Sequence, residues 1–318
     1  AGRGKKGRNP IMLQLPAEVG SYTLTVTQGD EELERPIAVT EATATLSAPE
    51  EVAGGTDFTV DWTGPLGRHD YVALANKGEA KASKYITYAW ATRSEKVFQA
   101  PATAGEYELR YVLRGAGSTD RLILATKVIK VSAVKATLTP PKEIKVGGDF
   151  FVEWTGPAGG RDFIALSALG NDKLLGHLTY AWVSKSKDGK VKLRGPAKPG
   201  AYEIRYVVNG GSGRSLAATA QVVVSDRKGD MTFPASVPAG EKFEISWEGP
   251  TGSRNFIGIG KPGSPPGRGH EHYVWATDKR KGRLRAPQNP GSYEVWYVLQ
   301  GADERRVLKT KKIQVTPK

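Results

Sequence analysis

The 318-residue chain has no cysteine, so disulfides and thiolate metal sites cannot support its fold and it has no thiol nucleophile. That absence suits the cytosol and many bacterial envelope proteins alike. No apolar run approaches the roughly 20 residues that span a bilayer. The N-terminal AGRGKKGRNP is basic but lacks the apolar core of a secretion signal, so it reads as a flexible lead-in to a soluble chain or mature fragment. No segment sustains a 3.6-residue apolar period, and glycine and proline interrupt too often for long helices. There is no G-x-S-x-G elbow and no phosphate loop, and histidine occurs only four times.

What the chain does have is a stretch written three times. DFTVDWTGP at Asp57–Pro65 returns as DFFVEWTGP at Asp149–Pro157 and KFEISWEGP at Lys242–Pro250, placing tryptophans at Trp62, Trp154 and Trp247. Steps of 92 and 93 residues are too long for a solenoid turn and suit a whole small β-domain. Period-two alternation within the first copy predicts seven short strands, at Ala42–Leu46, Phe58–Thr63, Tyr71–Ala75, Tyr85–Ala91, Lys96–Gln99, Glu106–Arg114 and Leu122–Val131. Seven hairpin-linked strands in such a length are the pattern of an immunoglobulin-like sandwich. The motif G-x-Y-x-apolar at Tyr107, Tyr202 and Tyr293 resembles the tyrosine corner of such folds, with Leu109, Ile204 and Val295 where antibody domains carry a cysteine.

The predicted architecture is all-β, a row of tandem Ig-like sandwiches. Residues 1–40 hold the lead-in and the last three strands of a truncated module, on which reading the chain begins inside a larger protein. Complete modules follow at 41–132, 133–225 and 226–318. The connectors Ser132–Ala136 and Ser225–Asp230 are short enough to make the row semi-rigid.

Aligned on the first tryptophan, Phe58, Phe150 and Phe243 share its strand face and belong to the core. A second aromatic column, Tyr88/Trp90, Tyr180/Trp182 and Tyr273/Trp275, has Ala89, Ala181 and Val274 between the rings. With the small residues inward these pairs form an exposed platform; with the large ones inward they are core. Burial of tryptophan is favourable, so the core reading leads. On the neighbouring strand Tyr71, Phe163 and Phe256 point outward over Ala73, Ala165 and Gly258, shielding the sheet or a module junction.

The net charge of +13 is confined to the C-terminal half. Residues 133–225 carry 13 basic and seven acidic groups, and residues 226–318 carry 17 and ten. The hairpin after the second tryptophan gathers many of these cations. It holds Arg93 and Lys96 in the first copy, Lys185, Lys187, Lys190, Lys192 and Arg194 in the second, and Lys279, Arg280, Lys281, Arg283 and Arg285 in the third. One reading is a stripe for an anionic polymer beside the aromatic column. The leading one is a solvated hairpin whose charges discourage edge-to-edge pairing.

Catalysis finds no constellation. Asp70 and Asp162 are matched by Asn255, and Asp61 and Glu153 by Ser246. The pairs Glu108/Arg110 and Glu203/Arg205 are expected as exposed ion pairs, which add little stability. His270 and His272 could share a face but lack a third metal ligand, so no metal and no cofactor is expected.

The pattern F-x-V-x-W-x-G-P, then Y-[AV]-W, then A-P-x-x-x-G-x-Y-E-[LIV]-x-Y-V resembles the Ig-like repeats that follow a von Willebrand factor A domain in bacterial surface or envelope proteins, including those labelled calcium-activated chloride channel homologues. The likeness covers nearly everything from Ile11 onward. That family's ion chemistry resides in a D-x-S-x-S motif that does not occur here, so no metal ligand and no channel role carries over. The resemblance implies an extracytoplasmic, non-catalytic stalk or assembly and adhesion scaffold. Its partners would be proteins or other copies of the chain. The alternative is an array binding carbohydrate or an anionic envelope polymer through the Tyr/Trp columns and basic hairpins; no nucleic-acid motif is present.

Overall fold

A computed structural model describes residues 13–116, 121–186, 188–252 and 254–318. The basic lead-in at 1–10 and Lys187 lie outside the described residues. Two compact units are formed. One holds the described residues up to Val134 together with Asn209–Ser215; the other holds Lys135–Val208 and Leu216–Lys318.

The first unit opens with a two-stranded antiparallel sheet, β1 (Gly20–Gln28) on β2 (Glu31–Val39), where the sequence pointed to three strands. Eight strands follow: β3 (Thr45–Ser47), β4 (Glu51–Ala53), β5 (Asp57–Thr63), β6 (Tyr71–Asn76), β7 (Thr87–Trp90), β8 (Glu95–Gln99), β9 (Gly105–Arg114) and β10 (Arg121–Ser132). They form a three-stranded sheet, β3-β5-β8, and a five-stranded sheet, β4-β10-β9-β6-β7. The strand missing from the sequence reading is β4, three residues paired parallel to the end of β10, which is too short to display alternation.

The second unit repeats this plan twice. The second copy runs β11 (Thr137–Thr139), β12 (Glu143–Lys145), β13 (Asp149–Thr155), β14 (Phe163–Ala168), β15 (His177–Trp182), β16 (Lys190–Arg194), β17 (Gly200–Gly210) and β18 (Gly213–Ser225). The third runs β19 (Asp230–Thr232), β20 (Ser236–Pro238), β21 (Lys242–Glu248), β22 (Phe256–Gly260), β23 (His272–Trp275), β24 (Lys281–Arg285), β25 (Gly291–Gln300) and β26 (Arg305–Thr316). Each again pairs a three-stranded with a five-stranded sheet. The chain is a series of tandem Ig-like sandwiches.

Strict alternation on β5 and β21 turns Phe58, Val60 and Trp62, and Phe243, Ile245 and Trp247, into the space between the sheets. Each such burial stabilises by about 1.5–3 kcal/mol. Trp154 is half-buried and stacks near Tyr206. The tyrosine corner is formed in every copy. Tyr107, Tyr202 and Tyr293 donate to the carbonyls of Thr103, Lys198 and Asn289 at 3.0, 3.2 and 2.9 Å, and Tyr22 donates to Glu18 O at 3.1 Å.

The carboxylate column is a structural tie. Asp70 is buried, and accepts from Gly67 N (2.8 Å), Arg114 N (3.0 Å) and the Tyr111 hydroxyl (3.3 Å). Asp162 likewise accepts from Gly159 N and Tyr206. In the third copy Asn255 Oδ1 accepts from Gln300 N (2.9 Å) while its amide donates to Pro250 O (3.2 Å), and Tyr297 also donates to Pro250 O. Burial is the main reason that the Tyr111 and Tyr297 hydroxyls are pushed up to about 12.

Within the second unit the turn between β25 and β26 is bonded to the second copy. Ala302 N donates to Gly195 O (3.0 Å), Ala197 N to Asp303 Oδ1 (2.8 Å) and Arg194 Nε to Gln300 O (2.7 Å). Arg306 grips Asp226 with two bonds of 2.8 and 2.9 Å. A Cβ on Gly301 would lie 2.3 Å from Ala197 N, so this approach requires glycine.

Replacing Asp70 by Ala strands the Gly67 and Arg114 N–H groups and is expected to cost about 1–3 kcal/mol for each that is left unsatisfied. Asp70→Asn, which installs the third copy's residue, is expected to cost less. Denaturant unfolding followed by tryptophan fluorescence checks this; an alanine variant as stable as the asparagine variant would remove the tie from the account.

Candidate interaction face

Strands β6, β14 and β22 each carry five consecutive buried residues, all apolar but Ser167, and so are buried on both faces. An antiparallel sheet whose outer face met water would alternate, so a second layer must cover that face. The inner side chains, such as Val72 and Leu74, join the sandwich core. The outer ones, Tyr71 and Ala73, Phe163 and Ala165, and Phe256, form a small outer cluster in each copy with Val112, Val207, or Trp296 and Val298. The three aromatics do point away from the sandwich, as expected, and only 2–4% of their surface remains exposed.

What covers them is an aromatic cluster on the adjoining edge strand. Register places Trp90 opposite Tyr71 and Tyr88 opposite Ala73, with the same pairing for Trp182 and Tyr180, and for Trp275 and Tyr273. Ala89 and Val274 turn to the core. This overturns the core reading of the Tyr/Trp column. Tyr88, Trp90, Tyr180, Tyr273 and Trp275 are 41–48% exposed, and Trp182 is half-buried. Once the small residue faces inward, its two neighbours must face outward.

Each Tyr–Trp pair meets edge to face, with centroids 5.1, 5.2 and 5.0 Å apart at 84°, 84° and 77°. A further ring completes each cluster five residues before the tryptophan. Tyr85 lies 4.9 Å from Tyr88, His177 4.8 Å from Tyr180, and His270 5.1 Å from Tyr273. This ring column was missed in the sequence, although a ring at the same offset in every copy was the signal. His270, weighed as a metal ligand, is instead an aromatic packing partner 5.2 Å from Phe256. Burial, and then the Arg305 charge, hold its pKa below the usual histidine value. Arg305 itself lies over Phe256, 5.7 Å from the ring centre.

The Glu-x-Arg pairs also differ from expectation. They occupy the outer face, but Arg110 and Arg205 are only 2% and 5% exposed. Arg110 binds Glu108 (2.6 Å) and donates to the carbonyls of Glu79 and Lys81; Arg205 binds Glu203 (2.5 Å) and donates to Asn171 O and Lys173 O. Each arginine therefore fastens the loop that walls the aromatic cluster. The third copy substitutes Trp296, whose indole donates to Glu294 (3.1 Å). The larger ring is matched by smaller neighbours: Ala73 and Ala75 become Gly258 and Gly260, and a Cβ on Gly260 would lie 2.5 Å from the Trp296 ring.

The basic hairpins do not join this face. They lead into and run along β8, β16 and β24 of the three-stranded sheets, whereas the aromatic pairs lie on β7, β15 and β23 of the five-stranded ones. Lys190 pairs with Glu153 and Lys192 with Asp149, both at 2.8 Å, and Arg283 approaches Glu244 at 3.8 Å. The Glu153 hydrogen bond and charge hold the Lys190 ammonium above its usual range. Arg194 is turned into the bonded junction at Gln300 O. Lys185, Lys279, Arg280, Lys281 and Arg285 are exposed, and Lys187 is outside the described residues. Among the described residues no group of three or more His, Asp or Glu could hold a metal ion, and no helix is long and apolar enough to cross a membrane.

No family model and no curated protein matches the chain. Among solved structures it is similar to the three N-terminal domains of the bacteriophage RB49 highly immunogenic outer capsid protein (12% identity, 87% of this chain and 98% of that one, TM-score 0.25). It is also similar to the chicken CNTN1 FN1–FN3 domains (11%, 86% and 99%, 0.26) and to a tetra-tandem repeat in the extending region of a large adhesion protein (12%, 94% and 82%, 0.24). The repeated Ig-like assignment rests on the strand order itself.

Arg205→Ala leaves Glu203 without its buried partner and frees the loop at Asn171–Lys173, at an expected cost of about 3 kcal/mol. Trypsin cleavage after Lys173 should accelerate relative to wild type, and an unchanged rate refutes the fastening role. His270, whose folded pKa is depressed, adds stability that is present above its unfolded value of about 6.5 and lost as pH falls through the folded value. His270→Tyr, which installs the first copy's residue, is expected to flatten that part of the stability profile below about pH 6.5; calorimetry across this range provides the check.

Proposed function

We propose that this chain is a non-catalytic interaction region of a bacterial surface or envelope protein. In this reading its tandem Ig-like modules form a stalk or scaffold for assembly and adhesion, and engage protein partners or further copies of the chain through the aromatic face. One observation carries the reading: every copy turns the same tyrosine and tryptophan outward over a buried aromatic floor, with Trp182 half-buried and the other five rings exposed. Exposed tryptophan is costly to solubility unless something uses it, and Trp, Tyr and Arg are the residues that dominate protein interfaces. The motif resemblance to repeats that accompany von Willebrand factor A domains supports the bacterial, extracytoplasmic setting.

Carbohydrate binding by the same face is the second reading, favoured by the exposed rings. The near-perpendicular Tyr–Trp geometry offers no pair of coplanar rings for a sugar chain, which favours a protein surface that interdigitates with the rings.

Combined Trp90→Ala, Trp182→Ala and Trp275→Ala substitution is expected to weaken self-association or partner binding by more than about tenfold, because hot-spot truncations cost about 2 kcal/mol or more. The unfolding midpoint should fall too, since each ring also packs on the buried aromatic beneath it, so binding is compared at a temperature where the variant is shown to be folded. Sedimentation of the chain alone and with candidate surface proteins, beside a glycan array, measures this. Undiminished protein binding, or a loss confined to glycans, counts against the leading reading.

A further inference from the structure

The third copy departs from its siblings most sharply around a shallow cavity of ≈ 580 Å3 beside the segment that leads into β19. Arg227, Lys228, Gly229, Asp230, Glu248, Gly249, Arg280 and Lys309 line it. Counting back from the first-strand core residues Leu46, Leu138 and Met231, Arg227 corresponds to Ala42 and Val134, and Lys228 to Thr43 and Lys135. Arg280 supplies the carbonyl bonded by Trp247 N, the position held by Ser94 opposite Trp62 and by Gly189 opposite Trp154. Lys309 stands six residues before Val315, where Ala125 precedes Val131 and Ala218 precedes Val224. The sandwich therefore forms with neutral residues at these positions, Lys135 alone excepted.

Gathering four cations there raises mutual repulsion that the fold does not require. The charges of Asp226 and Asp230 act on Lys228 and Lys309 from a distance, without an ion pair to either. None of Arg227, Lys228, Arg280 and Lys309 forms an ion pair among the described residues, while Asp230 is engaged by Lys311 at 2.9 Å and Asp226 by Arg306 at 2.8 Å. Arg227, just before β19, and Arg280, just before β24, meet in the wall of the same cavity. Glu248 in the cavity wall forms no ion pair among the described residues.

We infer that this cavity binds an acidic polysaccharide, its sulfate or carboxylate groups set against Arg227, Lys228, Arg280 and Lys309, with Glu248 accepting from sugar hydroxyls. A carboxylate is useful to a ligand that brings O–H donors as well as anions, and it repels a DNA backbone, which brings phosphates without hydroxyls. The cavity is shallow and lined mostly by charged residues, which suits a segment of a long polymer over an enclosed small molecule. The site is distinct from the aromatic face and does not depend on its role.

The test is titration calorimetry of the whole chain with a heparin oligosaccharide, with an oligogalacturonate and with single-stranded DNA of equal charge, each at low and physiological salt. Two variants lose the same charge. One carries Arg227→Ala, Lys228→Ala, Arg280→Ala and Lys309→Ala; the other carries Lys96→Ala, Lys142→Ala, Lys185→Ala and Lys312→Ala, all exposed and outside the cavity. The expected result is salt-sensitive binding of at least one polysaccharide, weakened about tenfold or more in the first variant and less than about threefold in the second. Glu248→Ala should weaken polysaccharide binding as well, whereas a purely electrostatic patch would gain from it. Equal losses in the two charge-matched variants, tighter binding of DNA than of either polysaccharide, or no polysaccharide binding by the wild-type chain overturns the inference. Unchanged unfolding transitions confirm that each variant is folded.

Discussion

The structure turns on a five-stranded sheet whose central strand, β6, β14 or β22, is buried on both faces. Its inner face makes the sandwich core, which any Ig-like module requires. Its outer face would expose Tyr71, Phe163 or Phe256 if nothing covered it, and burying such rings is worth about 1.5–3 kcal/mol each. The covering is a loop, fastened by Arg110 or Arg205 in the first two copies and by Arg305, which donates to Gly267 O, in the third, together with the rings of the edge strand. Those rings are consequently half inside and half outside. Their inner edges seal the sheet, and their outer edges face solvent.

This double duty explains why the aromatic columns persist through all three copies while the charges around them drift. A change at Trp90 or Tyr88 disturbs the outer cluster as well as the surface, so the rings are held by packing. Where packing does change, neighbours change in concert, as when Trp296 stands where Arg110 and Arg205 do and two glycines make room for it. The three-stranded sheet imposes no such constraint on its outer face. Lysines and arginines can accumulate there provided that Asp149, Glu153 and Glu244 stand opposite some of them. Four cations without an ion pair among the described residues line one cavity beside the segment that enters the third copy.

Much of the fold was legible. The Phe-x-Val-x-Trp stripe alternates cleanly, because one face of β5 meets the core and the other meets water. The tyrosine corner is a local contact spanning four residues, so its motif carries its geometry. The strand β4 was not legible because three residues cannot show a period, and its partner is the distant end of β10. The burial of Arg110 was hidden because Glu-x-Arg on an outer strand face looks like a solvated pair. The clue was the unbroken apolar run Tyr71–Ala75 on the strand beside it, which only a two-sided burial explains.

By itself the sequence determined what depends on short-range order: the three-fold repetition, the β class, the inward stripe and the turns, because side-chain period and turn chemistry are local properties of the chain. Tertiary structure alone decided which way the Tyr-x-Trp pairs face, since alternation permits either sense and only the fit of Ala89 and Val274 against the core selects one. It alone placed the basic hairpins and the aromatic pairs on different sheets, because the turn that joins β15 to β16, or β23 to β24, carries the chain across the sandwich edge. And it alone brought Arg227, Lys228, Arg280 and Lys309 to one cavity, because residues more than 80 positions apart meet only when β19, β21 and β26 close around a common core.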